Sequence, residues 1–331
     1  MKIQLIRLIR YFLLILGVIA LVVFISSLDI NQVKKSLSSI TWDIILIVMI
    51  LNALGILIKA FRWRILIYKI SNVKPSLFFS FLSIIAGVSA ASFTPGRGGD
   101  IAKPLMLKTS YHVSLTQSIP AMLIERILDL LSVIAFFFVA WIILPKRHLI
   151  YNEIVLPAMT LAILLVLCAF ILPKKIERIC LLIIRKIPIS PKLQSKLIIL
   201  IEKFFQSIIL LRGRKVSISM TILSLAAFFV EIIKFKFLFM VFGITISLML
   251  IAFSFTASLA VSLLSFVPGG IGVTELSFVA ILTKMIPNYT IAKLTSVVLA
   301  ERMLTYYLLI LLGAIILIIY RKKEHPIPSN K

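Results

Sequence analysis

A polar, helix-breaking stretch occurs twice in a chain that is otherwise written almost entirely in apolar residues. The first copy is Ser89-Ala-Ala-Ser-Phe-Thr-Pro-Gly-Arg-Gly-Gly-Asp100 and the second is Ser262-Leu-Leu-Ser-Phe-Val-Pro-Gly-Gly-Ile-Gly-Val-Thr-Glu275. Both read S-x-x-S-F-x-P-G, then glycines and an acid. Each is followed by a second echo, Glu125-Arg126-Ile-Leu-Asp129 and Glu301-Arg302-Met-Leu-Thr305. Pro95 precedes Arg126 by 31 residues, and Pro268 precedes Arg302 by 34. Proline cannot continue a helical hydrogen-bond ladder and glycine permits the turn, so both copies interrupt helices.

The surrounding sequence fixes where those interruptions lie. Of 331 residues, 61% are hydrophobic, and the mean hydropathy is +1.14. That suits many membrane spans rather than a soluble core. No long polar segment remains to form a soluble catalytic domain, so residues 1–331 read as one membrane domain. The net charge of +24 would ordinarily raise nucleic acid as a partner. Here the basic residues sit in short loops between apolar runs, where topology and anionic headgroups explain them more simply, and nucleic acid is not expected. Cys168 and Cys180 lack any partner spacing, and His112, His148 and His325 are isolated, so neither metal nor cofactor is implied.

Taken in order, Lys2, Arg7 and Arg10 precede the apolar run Tyr11–Leu28, read as a retained first helix with its N-terminus inside. Trp42–Phe61 is the second span, with Lys59, Arg62, Arg64, Lys69 and Lys74 read as its cytoplasmic flank. Ser76–Thr94 is apolar but rich in small residues. Ile119–Leu144 and Ile154–Leu172 are spans, and Pro173–Lys215 carries eleven Lys/Arg on segments spaced for amphipathic helices. Val216–Phe242 contains Glu231 and Lys234. Ser247–Val267 and Thr274–Met285 flank the second break, and Leu294–Tyr320 closes the chain.

Topology then becomes decisive. If Ser76–Thr94 alone crosses, the basic segment 173–215 falls outside, against the positive-inside rule. If each Pro-Gly segment dips in and returns, most of the 36 Lys/Arg and both termini lie in the cytoplasm. The expected fold is therefore all-α and polytopic, with about six full spans and two re-entrant Pro-Gly hairpins, or eight helices if both hairpins span. Repeat one (42–172) and repeat two (216–320), joined by the basic linker 173–215, then form an inverted-topology repeat in the cell membrane. That is a transporter architecture, with its site near the midplane between the repeats.

The chemistry concentrates at the two breaks. Backbone freed at membrane depth is tolerated only against protein or a water-filled cavity. Asp100 and Thr274 are the expected N-caps of restarted helices, whose free N–H groups suit an anion. The expected phosphate-binding set is Pro95, Gly96, Arg97, Gly98, Gly99, Asp100, Arg126, Pro268, Gly269, Gly270, Gly272, Thr274 and Arg302. A charge network or gate is expected from Glu125, Asp129, Glu231, Lys234, Glu275 and Glu301, because a charge at depth costs at least ~2.5–3.5 kcal/mol without partners. Arg126–Asp129 and Glu231–Lys234 are i,i+3 neighbours able to pair. Arg302, with Thr305 where repeat one has Asp129, needs a more distant acid or a ligand.

On Phe93-Thr-Pro-Gly-Arg-Gly-Gly-Asp100, Glu125-Arg126-x-x-Asp129, Pro268-Gly-Gly-Ile-Gly-Val-Thr-Glu275 and Glu301-Arg302, the chain resembles the flippase-like integral membrane family that includes the N-terminal transmembrane domain of lysylphosphatidylglycerol synthases. The resemblance spans nearly the whole length. It implies movement of a lipid with a modified phosphate headgroup across the cytoplasmic membrane. The aminoacyl-transferase domain found in those synthases does not follow the last span here. A stand-alone translocator of a phospholipid or lipid-linked intermediate is thus expected, with a separate synthase or transferase as a possible partner. An integral membrane enzyme acting on a lipid phosphate or lipid-linked sugar, and a small-solute transporter, are the alternatives. A cavity open sideways to the bilayer favours the lipid reading; a closed aqueous path favours solute.

Overall fold

The computed structural model describes residues 40–145, most of 156–164, 172–187, 190–210 and 213–324. The expected first span, most of Ile154–Leu172 and both chain ends lie outside the described residues. Among the described residues every regular element is helical. Helix α1 is Trp42–Ser71 and α2 is Leu77–Ser92; a 3-10 turn, Pro95–Ile101, leads to α3, Ala102–Tyr111, and then to α4, Leu115–Ile143. Helices α5 (Pro173–Lys186) and α6 (Pro191–Leu210) follow. The second half is α7 (Arg214–Val241), α8 (Leu248–Leu264), the turn Pro268–Gly270, α9 (Val273–Met285), α10 (Ile291–Glu301), a π-helical turn over Arg302–Tyr307, and α11 (Leu308–Glu324).

Among the described residues, four stretches are long and apolar enough to cross a membrane: Trp42–Ser71, Leu115–Ile143, Val216–Val241 and Ile291–Tyr320. Helices α2 and α8, of 16 and 17 residues, reach only about 25 Å and fall short of a hydrocarbon core of about 30 Å. Each starts at a serine whose hydroxyl accepts a first-turn N–H, Ser76 from Phe79 and Ser247 from Leu250.

Both breaks produce helical hairpins that return to the end they came from. Tyr111, at the end of α3, accepts a hydrogen bond from Ser76 N at 2.8 Å, and its ring meets Phe79 edge-on at 4.8 Å. In the second half Tyr289, after α9, accepts from Thr245 N at 3.0 Å. The continuous helix from Ile291 to Tyr320 serves as a ruler between these two mouths. Tyr320 lies against Phe79 at the mouth of the first hairpin, while Tyr289, at the mouth of the second, immediately precedes the ruler's other end. The hairpins therefore point in opposite directions.

Their tips meet near the ruler's middle. Tyr306 Oη donates to Gly269 O at 2.9 Å and shares a hydrogen bond with Ser92 Oγ at 2.8 Å, so a single hydroxyl ties both tips together. Close packing along the ruler depends on Gly313, where a Cβ would stand 2.5 Å from Ile85 O. Each hairpin sits in its own apolar core. One gathers Phe79, Ile84 and Met106 with Trp63 and Phe205; the other gathers Phe253 and Phe278 with Phe235, Phe239 and Phe137.

Candidate functional site: an ion network behind the hairpin tips

Two sequence expectations are corrected at the tips. The helix after the first break begins at Ala102 with Ile101, not Asp100, at its N-cap position, because the Asp100 carboxylate turns away to Arg126. The helix after the second break is capped at Gly272, not Thr274. Thr274 Oγ1 donates back to Gly270 O at 3.0 Å, and the Glu275 carboxylate accepts the Gly272 N–H at 2.8 Å. A carboxylate on a free N–H at a helix start also meets the positive end of the dipole. The second break is thus partly occupied by its own anion.

A further correction concerns Lys59 and Arg62. Helix α1 does not end at Phe61, between them; it runs on to Ser71 and closes on Asn72 in the left-handed conformation. Arg62 is fully buried. Its Nη2 meets Glu125 Oε1 at 3.1 Å and Asp129 Oδ1 at 2.6 Å, and Nη1 donates to Ser224 Oγ at 2.7 Å. Lys103 is buried on α3, pairs with the other Glu125 oxygen and lies 4.8 Å from the Trp63 ring centroid. Arg126 pairs with Asp100 and, at 3.8 Å, with Asp129.

The second half holds a cluster of its own. Lys234 on α7 binds Glu301 Oε1 at 2.8 Å and Glu231 Oε2 at 2.6 Å. Arg302 Nε reaches Glu275 Oε1 at 3.1 Å, as Arg126 reaches Asp100, so the missing local acid is supplied by the hairpin tip. Thr305, in the Asp129 position, donates to Glu301 Oε1 at 2.7 Å. Lys59 and Glu231, each three residues before its helix's central cation, meet at 3.4 Å where α1 crosses α7.

Six cations (Lys59, Arg62, Lys103, Arg126, Lys234 and Arg302) therefore face six acids (Asp100, Glu125, Asp129, Glu231, Glu275 and Glu301). Those six acids are half of the 12 in the chain. Balanced pairing is what allows such charges to be buried, since an unpaired one is costly. The sequence signal for the missed cations is arithmetic: the acids at depth outnumber Arg97, Arg126, Lys234 and Arg302.

Arg97 stands outside this balance. It is exposed at the first tip, has φ +58°, and its side chain has no hydrogen-bond or ion-pair partner among the described residues. Gly98 beside it is open, with nothing near the place of a Cβ. Arg302 packs over the Tyr306 ring at 5.1 Å, and Arg126 Nε is buried without a hydrogen bond. The structure thus brings Arg97, Asp100, Arg126, Gly269, Gly270, Glu275 and Arg302 to the meeting tips. It places Glu125, Glu231, Lys234 and Glu301 in the layer behind them.

The family described as the lysylphosphatidylglycerol synthase TM region matches residues 9–313. The chain is 27% identical over 330 residues to a UPF0104 membrane protein of Pyrococcus horikoshii, covering 95% of this chain and 98% of that one. It is 25% identical to a UPF0104 membrane protein of Methanocaldococcus jannaschii, covering 94% and 95%, and 23% identical to one from Methanothermobacter thermautotrophicus, covering 92% of each. No solved structure gives a significant match.

Proposed function

The chain belongs to the lysylphosphatidylglycerol synthase TM-region family, an integral membrane family, and from that premise we propose that it translocates a phospholipid or lipid-linked intermediate with an anionic phosphate headgroup across the cell membrane. The observation that carries this reading is the tip-to-tip meeting of two oppositely directed hairpins, held by one tyrosine in front of a buried, balanced ion network. Two hairpins that dip from opposite faces and touch at mid-depth form a barrier that opens toward one side when one tip withdraws. An inverted-topology repeat supplies that alternation.

Orientation follows from charge. The end bearing Tyr111 and Tyr320 also carries Lys69, Lys74 and the basic helices α5 and α6, so we place it in the cytoplasm, with both termini. Arg97 is the first contact for a lipid phosphate, because it alone among the tip cations has no partner among the described residues. Arg126 and Arg302 would engage by exchanging Asp100 and Glu275 for the phosphate, so the acids hold the site together when no headgroup is present.

The test is a sidedness assay in proteoliposomes, using fluorescent phospholipids that include aminoacylated phosphatidylglycerol. Wild type should accelerate exchange between leaflets, while Arg97→Gln and Arg302→Gln should abolish it in correctly folded protein. Folded wild-type protein that moves no lipid, or variants that move lipid at the wild-type rate, would overturn the reading.

A further inference from the structure

Helix α5 has three sides, and one of them packs against the described residues. At about 100° per residue, Ile176 and Cys180 share the side that packs on the first apolar core. Ile179 and Ile183 form a second, apolar side that is 51–54% exposed and lies uncovered by the described residues, and Lys175, Leu182 and Lys186 lie where it borders the basic side. Lys174, Arg178 and Arg185 occupy a third, basic side that faces away from the core. The helix carries five Lys/Arg against Glu177 alone. It is held in place by α6, whose Gln194 Nε2 donates to Ile184 O at 3.1 Å and Arg185 O at 3.2 Å, and whose Phe205 is buried in that same core.

In water, the second side would be an apolar stripe without cover. Inside hydrocarbon, the third would be three cations away from water. A helix satisfies both only at the boundary between the two, lying beside the bundle with one side toward acyl chains and one toward headgroups. The shared core with Tyr111 and Tyr320 places this boundary at the mouth of the first hairpin. We infer that α5 is an interfacial docking surface for anionic phospholipid, with Ile179 and Ile183 seated among acyl chains, Lys174, Arg178 and Arg185 on phosphate headgroups, and Lys175 and Lys186 extending from the border to the same headgroups. The charge complementarity selects the occupant: five basic residues in a helix of 14 favour an anionic leaflet over a zwitterionic one. The surface gathers such lipid beside the first hairpin's mouth, and it does so whether or not the hairpins move lipid.

The experiment is tryptophan quenching in lipid nanodiscs with Ile183→Trp, read as the difference from protein carrying only Trp42, Trp63 and Trp141. Lipids brominated on the acyl chain are supplied either as phosphatidylglycerol or as phosphatidylcholine. Brominated phosphatidylglycerol should quench the new tryptophan more strongly at equal mole fraction. Lys174→Gln, Lys175→Gln, Arg178→Gln, Arg185→Gln and Lys186→Gln together should remove that preference, each contributing up to about fivefold in local enrichment. Equal quenching by the two lipids would overturn the anionic selection. No quenching by either would overturn the interfacial placement, as would docking of a soluble protein or a second copy on this side. Ile179→Trp, on the same exposed side, repeats the measurement at a second position. None of these readouts depends on transport, so failure here and failure of translocation are separate results.

Discussion

Arg62 and Arg97 show that two arginines of one site can have opposite energetic roles. Arg62 is surrounded by Glu125, Asp129 and Ser224 and is inaccessible, so its removal leaves buried Glu125 with Lys103 alone and Asp129 with only Arg126, 3.8 Å away. Breaking a buried pair from one side costs about 3–5 kcal/mol, and Arg62→Ala should lower thermal stability in detergent by that order. Arg97 has no such partner among the described residues and lies exposed at the tip. Arg97→Gln should leave the melting temperature near wild type, within the roughly ±0.5 kcal/mol usual for surface changes, while abolishing lipid movement. A large loss of stability in Arg97→Gln would show that the residue is structural and remove it from the site. Glu125 lies between these cases. Glu125→Gln keeps the shape but loses the charge facing both Arg62 and Lys103, so it should destabilise nearly as much as Arg62→Ala.

At the scale of elements, the second break is built around a backbone conformation that side chains resist. Gly269 has φ +65°, and a Cβ there would stand 2.6 Å from Tyr306 Oη and 2.9 Å from Ser92 O. Gly269→Ala should therefore cost about 1–2 kcal/mol in backbone strain and also push the tips apart. Tyr306→Phe keeps the ring beneath Arg302 but loses two hydrogen bonds, each worth about 0.5–1.5 kcal/mol net. Spin labels on the two tips should report a longer and broader distance distribution in both variants; an unchanged distribution would show that Tyr306 does not hold the tips. The breaks themselves were legible because Pro-Gly has few conformational outcomes in an apolar run, and helix limits near Ser76 and Ser247 followed from where the apolar runs begin, whereas the caps expected at Asp100 and Thr274 moved to Ile101 and Gly272. The end of α1 was not legible. A run of Lys59, Arg62 and Arg64 looks like a flank, and Arg62 can be buried only because Glu125 and Asp129, far along the chain, come to meet it. Tyr306 was invisible for a related reason: its role depends on a π-helical turn and on a partner backbone carbonyl, neither of which leaves a periodic trace.

At the scale of the whole molecule, the halves differ in how they distribute charge around a common plan. In the first half, the residue three before the central cation is Lys59; in the second it is Glu231, and the two pair across the crossing of α1 and α7. Lys59→Glu alone would face Glu231 with a like charge, although Arg62 and Lys234 remain nearby to offset it. Glu231→Lys alone is worse, since the introduced ammonium would crowd against Lys59 and Lys234 with Glu301 as the nearest acid. The double exchange restores an opposite pair at the crossing. It also moves the local i,i+3 pairing from α7 to α1, where the introduced carboxylate faces Arg62. Residues in direct contact are those whose effects fail to add, commonly by about 0.5–3 kcal/mol. A double-mutant cycle on thermal stability should thus return a favourable coupling in that range, with the exchanged protein recovering most of what Glu231→Lys loses. Lipid movement should recover with it if the crossing is a joint between equivalent halves. An additive cycle, with the double variant as unstable as the sum of the singles, would mean that the crossing is held by its apolar contacts and that the charge pattern there is incidental to how the halves meet.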